Sequence, residues 1–380
     1  MNPFPDAVAL AQRLVGFDTV NPPGQEAACA AFLVPLLEAA GFRVQSFSHA
    51  PGRPSLVARR GRQGSPRSLC FAGHLDTVPL GREPWSQHPF EAQVVDGRLY
   101  GRGACDMKSG VAAFLAAAGA RCDTFPEDAE LVIVLAAGEE TGCEGSSHLA
   151  SLGVPLAGMA GVIIGEPTAN LPMLGHKGAL WLNACAKGNA AHGAAPQAGV
   201  NAIRKAAEMV RCLDGFGAHH AAHPVLGSST LNVGTFHGGQ NVNSVPDWAE
   251  VGIDIRTVPG MAHSAVREEL ESLLRPHLHC LHVQTDMQHV FTPADAPWMQ
   301  RVRRVVEQDA GATVVPGTTS YFTDASALKP LLGQAPIVIL GPGNPAQMHQ
   351  TDEYCEVAQI VAAVRIYGQV IDATLRVAPL

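Results

Sequence analysis

The chain has 380 residues, 47% of them hydrophobic, and carries 26 Lys+Arg against 34 Asp+Glu, a formal net charge of −8. That length suits two or three domains with ample core, and the acidic balance, with no basic tract, excludes non-specific nucleic-acid binding. The nine cysteines are an odd number without a CxxC pair, which points to a reducing, cytoplasmic setting rather than a disulfide framework. The first residues hold no basic group before Arg13, unlike a signal peptide. Apolar runs such as Gly110–Ala120 fall well short of the roughly 20 residues needed to cross a bilayer.

Apolar periodicity predicts helices over Asp6–Phe17 and Glu26–Ala40, then a strand over Leu69–Gly73. A helix follows over Ser109–Gly119, and further strands over Leu131–Gly138 and Gly161–Gly165. These strands are short runs apolar on both faces, as expected for the centre of a covered parallel sheet. The middle of the chain changes character. Ala179–Lys187 reads as a strand, Asn201–Leu213 as an amphipathic helix, Ser229–Phe236 and Trp248–Val258 as strands, Ala265–Leu274 as a helix, and Leu278–Met287 as a strand. That β-α-β-β-α-β order is the split βαβ sandwich. The α/β pattern resumes with a strand at Ile337–Gly341 and a helix at Glu353–Leu375. The fold expected is therefore α/β, a central mostly parallel sheet flanked by helices, carrying an inserted α+β, ferredoxin-like domain. The boundaries are 1–174 and 290–380 for the larger domain and 175–289 for the insert.

Each apolar run of the larger domain is followed by residues that bind metals or move protons. "FAGHLDTVP" supplies His74 and Asp76, "YGRGACDMKSG" supplies Asp106, and "GEETG" supplies Glu139 and Glu140. "IIGEPT" adds Glu166, and "GPGNPAQMHQTDEY" adds His349. Ligands of open parallel sheets bind beyond the carboxyl ends of the strands, so five segments converge on one edge. A lone His or Glu after a strand ordinarily caps it or faces solvent. The convergence is what argues for a site, and two imidazoles with several carboxylates suit zinc or a similar borderline cation.

Five of these stretches, "GHLDTVP", "GRGACDMKSG", "EETG", "GEPT" and "MHQTDEY", resemble the metal-binding motifs of the M20 metallopeptidase family. The acetylornithine deacetylase and succinyl-diaminopimelate desuccinylase branch is the most similar. The resemblance extends through the insert in "KGNAAHGAAPQAGVNAI", "GGQNVNSVPD" and "DIRTVPG", which are similar to the family's lid or dimerisation domain. It implies a hydrolase with two divalent metal ions, zinc first, with cobalt or manganese as substitutes. His74 and Glu166 would hold one ion, Glu140 and His349 the other, and Asp106 would bridge them. Asp76 would hydrogen-bond the His74 imidazole and fix its tautomer. Glu139 would be the general base that takes a proton from the attacking water. The resemblance also implies a cis peptide at Asp106–Met107, a homodimer in which His192 serves the oxyanion of the partner's site, and substrate contacts from Asn243, Arg256 and Gly343. Arg256 suits a substrate carboxylate, since its planar fork makes two parallel bonds.

The substrate implied is a small N-acyl amino acid. "NPPGQE" and "GRGACDMK" favour acetylornithine as the first choice, with desuccinylase, carboxypeptidase or dipeptidase as alternatives that share the site. A carbamoyl-amino-acid hydrolase usually differs in the second motif, and a non-catalytic binding protein would lack one of the seven site positions, all of which are present. Cys105 and Cys143 flank the motifs and read as small buried residues rather than ligands. His219 and His223 have an i, i+4 spacing, but Gly and Pro bracket them and no carboxylate accompanies them, so a solvated loop is the reading.

Overall fold

The computed structural model describes residues 3–217 and 220–376; His219 lies outside them. The chain divides into two compact units. The first holds the described residues up to Gly175, Phe291–Thr319 and those from Thr323 onward, and the second holds His176–Val290 and Ser320–Phe322.

The first unit is built on a nine-stranded sheet. Its centre is four parallel strands in the order Glu130–Ala136, Ser68–His74, Gly161–Ile164, Ile337–Ile339. These are the four apolar runs of the sequence. Antiparallel strands extend both sides and make the sheet as a whole mixed. On one side lies the hairpin Arg43–Ala50 and Arg53–Gly61; on the other, Met173 pairs antiparallel with Ile339. The hairpin has no continuous apolar run because its outer strand is an edge with no buried residue and its inner strand hides charge. Arg59 on the inner strand is buried with its guanidinium 3.0 Å from the Glu130 carboxylate.

Alternate residues of a strand face opposite sides, and both sides are covered. Helices Ala7–Val15, Ser109–Gly119, Pro297–Ala310 and Val357–Leu375 form one layer with Ala27–Ala39. There Phe71 stacks on Phe114 with centroids 4.1 Å apart, and Tyr367 meets both edge-on. The Tyr367 hydroxyl donates to the Leu340 carbonyl at 2.6 Å, so the ring's polar tip is satisfied where it is buried. Helices Glu144–Ser151 and Asp324–Leu332 pack together against the opposite face. The first helix starts at Asp6, whose carboxylate accepts the Val8 and Ala9 amides at 3.0 and 3.1 Å, a capping geometry. The last begins at Val357 rather than Glu353, because Tyr354–Glu356 is a strand paired with Arg98–Tyr100. No helix of the described residues is long and apolar enough to cross a membrane.

The second unit has a four-stranded antiparallel sheet in the order Thr230–Gly238, Trp248–Thr257, Gly178–Lys187, Cys280–Met287. Helices Ala202–Leu213 and His263–Leu274 complete the β-α-β-β-α-β order. Along Trp248–Thr257 burial alternates strictly. Ala249, Val251, Ile253 and Ile255 pack toward buried Ala206, Met209, Val266 and Leu270 of the helices. The residues between them lie on the sheet face the helices leave uncovered.

Candidate metal centre

The acidic and imidazole groups of the first unit gather where its parallel strands end. His74 is the last residue of its strand; Glu139 and Glu140 follow Ala136, and Glu166 follows Ile164. Asp106 comes from an irregular turn that leads into helix Ser109–Gly119 and contains a cis peptide at Asp106–Met107. The glycines before His74 and Glu166 have a steric cause. A Cβ on Gly73 would stand 2.4 Å from the Met107 Cε, and one on Gly165 would stand 2.8 Å from the same atom. The Met107 side chain thus fills the space above both strands and sets Asp106 beside the groups that emerge from them.

Asp106 divides its carboxylate between two imidazoles. Its Oδ1 is 3.2 Å from His74 Nε2, and its Oδ2 is 3.4 Å from His349 Nε2. His74 Nε2 also lies 3.7 Å from Glu166 Oε1, and His349 Nε2 lies 3.2 Å from Glu140 Oε2. Two subclusters result, His74 with Glu166 and His349 with Glu140, joined by Asp106. Potential ligand atoms of His74, Asp106 and Glu140 all fall within 4.8 Å of one another.

The electrostatics are lopsided. Asp106, Glu139, Glu140 and Glu166 are drawn together against two imidazoles. Burial, then the charges of Glu166 and Glu140 acting against His74, holds the Glu139 carboxyl well above the usual range. Burial and Asp106 do the same to Glu166. Burial would lower His74, but its bond to Asp106 and the charges of Glu166 and Asp76 outweigh it. Bonds to Asp106 and Glu140 push His349 up to about 10. Glu140 Oε1 is buried without a hydrogen-bond partner. Buried carboxylates in excess of their partners are unfavourable unless a cation offsets them. The donor set, two imidazole nitrogens with carboxylate oxygens, suits a borderline divalent ion; the residues fit such a group.

Asp76 is used differently from the sequence expectation. His74 Nδ1 makes its 2.9 Å bond to the Asp76 backbone carbonyl, and the carboxylate stands 3.6 Å from that nitrogen. The carboxylate instead accepts the Glu139 amide at 3.0 Å, the Glu140 amide at 3.2 Å and Asn21 Nδ2 at 2.9 Å. These three donors fix the carboxylate toward the strand end, and the imidazole bonds the Asp76 carbonyl instead.

Two supporting residues were not singled out from the sequence. Glu353 accepts the amides of Gly103, Cys105 and Asp106 at 3.1, 2.8 and 3.0 Å, and the Arg102 guanidinium at 2.6 Å. It stood in the quoted "MHQTDEY" stretch, and its being a carboxylate in a strand-bound motif was the available signal. Asp324 is buried and its charge acts on Glu139, and burial pushes it up to about 6. Gly343 has φ +98°, and a Cβ there would stand 2.7 Å from Cys105 Sγ. Its amide donates to Gln359 Oε1 at 2.7 Å. Cys105 and Cys143 are buried thiols outside the ligand cluster.

His192, Asn243 and Arg256 belong to the second unit. His192 and Asn243 are neighbours there: Ala191–His192 pairs with Ser244–Val245, and the Gly193 amide donates to the Asn243 carbonyl at 2.7 Å. His192 Nδ1 accepts the Ala194 amide at 3.0 Å, which fixes the tautomer that carries its proton on Nε2. Arg256 lies on the open sheet face, its Nε 3.0 Å from Asp254 Oδ1 and its guanidinium over Trp181.

Residues 70–373 match the model for peptidase family M20/M25/M40. An acetylornithine deacetylase of Proteus mirabilis is 31% identical over 88% of this chain and 87% of its own length. A succinyl-diaminopimelate desuccinylase of Cereibacter sphaeroides is 31% identical over 96% of this chain and 98% of its own. Among solved structures, the M20 family metallo-carboxypeptidase Sso-CP2 of Sulfolobus solfataricus shares the fold with a TM-score of 0.78 at 17% identity, covering 98% of this chain and 100% of that one.

Proposed function

We infer the chemistry from one premise: the chain belongs to peptidase family M20/M25/M40 and is a metal-dependent hydrolase. The reading is hydrolysis of the amide of an N-acyl amino acid, with acetyl as the acyl group and N-acetylornithine as the first candidate. The observation that carries it is Asp106 between His74 and His349, one carboxylate oxygen toward each. That arrangement suits two ions that share a carboxylate. His74 and Glu166 would hold one, Glu140 and His349 the other, with zinc the best match and cobalt or manganese as substitutes. Divalent cations there would polarise the acyl carbonyl and acidify the attacking water.

Everything else falls to side chains. Glu139 is buried beside the cluster, and its carboxyl sits well above the usual range because it is buried. A base poised that way takes the proton from the attacking water and hands it to the leaving nitrogen, the cycle general acid–base catalysis requires. Asp76 holds the backbone from which both glutamates project. His192, with its proton on Nε2, is suited to donate to an oxyanion, and in this reading it serves the partner's site in a homodimer. Arg256 grips the substrate carboxylate after exchanging it for Asp254, and Asn243 contacts the same substrate. The second unit would thus act as lid and dimerisation domain, and the cysteines, none in a disulfide, suit the cytoplasm.

Relatives named for deacetylation and for desuccinylation match equally well, so the acyl group is decided by assay. A panel of N-acetyl and N-succinyl amino acids and of dipeptides, run with added zinc or cobalt, is expected to give the highest kcat/KM on N-acetylornithine. Turnover of dipeptides alone would replace the deacylase reading with a peptidase. Glu139→Gln is expected to lower kcat by about 10²–10⁴ while metal content stays at the wild-type value. Near-full activity in that variant would remove Glu139 from the role of base.

A further inference from the structure

The second unit carries its own cluster of metal-binding side chains. Cys185 and Cys280 stand directly opposite each other on adjacent antiparallel strands. His282, two residues beyond Cys280, faces the same side, since side chains repeat every two residues along a strand. The ligand atoms of Cys185, Cys280 and His282 all lie within 4.8 Å of one another, and Cys280 Sγ is 3.3 Å from His282 Nε2. On the other side of Cys185 the register places Glu250. The Trp248 indole donates to Glu250 Oε1 at 2.7 Å, which orients that carboxylate. All four residues occupy the sheet face that the helices leave open. The cluster is graded in depth: Cys185 is buried, Cys280 half-buried and His282 exposed, so it has a dry floor and an open mouth.

We propose that Cys185, Cys280 and His282 form a second, thiolate-containing site for a d10 divalent cation such as zinc, separate from the carboxylate-rich centre and independent of the reading given for it. Two sulfurs and one imidazole nitrogen are three of the four ligands a tetrahedral zinc takes. Glu250, which the register places beside Cys185, would supply or orient the fourth ligand. The thiol chemistry agrees. Burial, and then Cys280 beside it, push the Cys185 thiol up to about 12, so two adjacent thiolates do not coexist there unaided. A soft cation relieves that repulsion; each thiol gives its proton to solvent, and the resulting thiolates bind the ion while His282 binds as the neutral ring. Three ligands on two paired strands also tie the edge strand Cys280–Met287 to the sheet.

Cobalt(II) tests this without ambiguity between the two centres, because the carboxylate-rich cluster contains no sulfur ligand. The full chain, reduced with a phosphine, is titrated with cobalt and followed by absorption. A sulfur-to-cobalt charge-transfer band is expected, its full amplitude corresponding to one thiolate-bound cobalt per chain whatever the carboxylate-rich centre takes up. Cys280→Ser should lose the band and one equivalent of metal, with circular dichroism unchanged. His282→Ala, at an exposed position, should weaken cobalt binding at this site by at least tenfold. His349→Ala should keep the band. No sulfur band, or a band that survives Cys280→Ser, overturns the proposal. So does a Cys185–Cys280 disulfide that persists under the phosphine.

Discussion

Asp76 Oδ1 accepts the backbone amide of Glu139 at 3.0 Å, and its Oδ2 accepts that of Glu140 at 3.2 Å. A buried carboxylate thus fixes the peptide units from which both glutamates project. Asp76→Ala leaves two amides and the Asn21 side chain without their acceptor, each such loss costing about 1–3 kcal/mol. Asp76→Asn keeps the volume and one acceptor oxygen. We expect Asp76→Asn to lower kcat roughly 10–100-fold, as loss of a residue that orients ligands does, with KM nearly unchanged. Urea unfolding should show Asp76→Ala to be the less stable of the two. Equal kcat in Asp76→Asn and wild type would mean that the strand end holds its shape without this carboxylate.

Glu353 does the same for Asp106. Its carboxylate binds three amides of one turn, those of Gly103, Cys105 and Asp106, and the Arg102 guanidinium, and both side chains of the ion pair are about 1% exposed. Burial pushes the Glu353 carboxyl up to about 7 even against the pull of Arg102. Glu353→Gln strands a buried guanidinium, a change that costs about 3–5 kcal/mol. The prediction is that Glu353→Gln lowers the urea midpoint strongly and weakens metal affinity. Adding Arg102→Met should restore part of the stability and little of the affinity, because the turn amides then bond a neutral amide oxygen in place of a carboxylate. Recovery of both would make Glu353 only a partner for Arg102.

The contrast between these two acids shows what the sequence carries. The four central strands are legible because they are apolar on both faces, and the ligand-type residues that follow them make His74, Glu139, Glu140 and Glu166 candidates at one edge, while the choice of Glu140 as ligand and Glu139 as base rests on the resemblance alone. The hairpin Arg43–Gly61 is hidden because an edge strand needs no apolar run, and because Arg59 is neutralised by Glu130 from a distant segment. Which oxygen of Asp76 meets which donor is equally invisible, since it depends on Asn21 and on amides 63 and 64 residues away. Glu353 was written in a motif, but its work is done through backbone groups of a turn some 250 residues earlier, and no local pattern reports that.

In the second unit, His263 links Thr257 to Asp286: its Nε2 is 2.7 Å from the Thr257 hydroxyl, and its Nδ1 is 2.6 Å from Asp286 Oδ1. The bond to His263 holds the Asp286 carboxyl below its ordinary value. A lowered folded-state value means that the folded chain binds fewer protons than the unfolded one near pH 4. The stabilisation is therefore complete above the unfolded value of about 3.9 and is lost as pH falls through the folded value. Asp286 is 39% exposed, so the interaction is worth no more than about 1 kcal/mol. Asp286→Asn should be less stable than wild type by up to that amount from pH 5 to 7, with the gap closing below pH 4. A gap that widened in acid would contradict the assignment.

Metal removal separates the two adjacent glutamates. Glu140 Oε2 lies 3.2 Å from His349 Nε2, and its other oxygen is buried without a hydrogen-bond partner, whereas Glu139 Oε1 accepts the Cys143 thiol at 3.7 Å. A cation that binds only the folded chain stabilises it by about 2.7 kcal/mol at a hundredfold excess over Kd. At about 2–4 °C per kcal/mol for a unit of this size, a strong chelator should lower Tm by roughly 5–10 °C and abolish turnover, and added zinc or cobalt should restore both. Glu140→Gln should start near the chelated Tm and respond little to chelator, because a ligand is already missing. Glu139→Gln should keep the full Tm response while remaining inactive when metal is added back. If both variants responded alike, the pair would share one role, and the division between a ligand and a base at this strand end would fall.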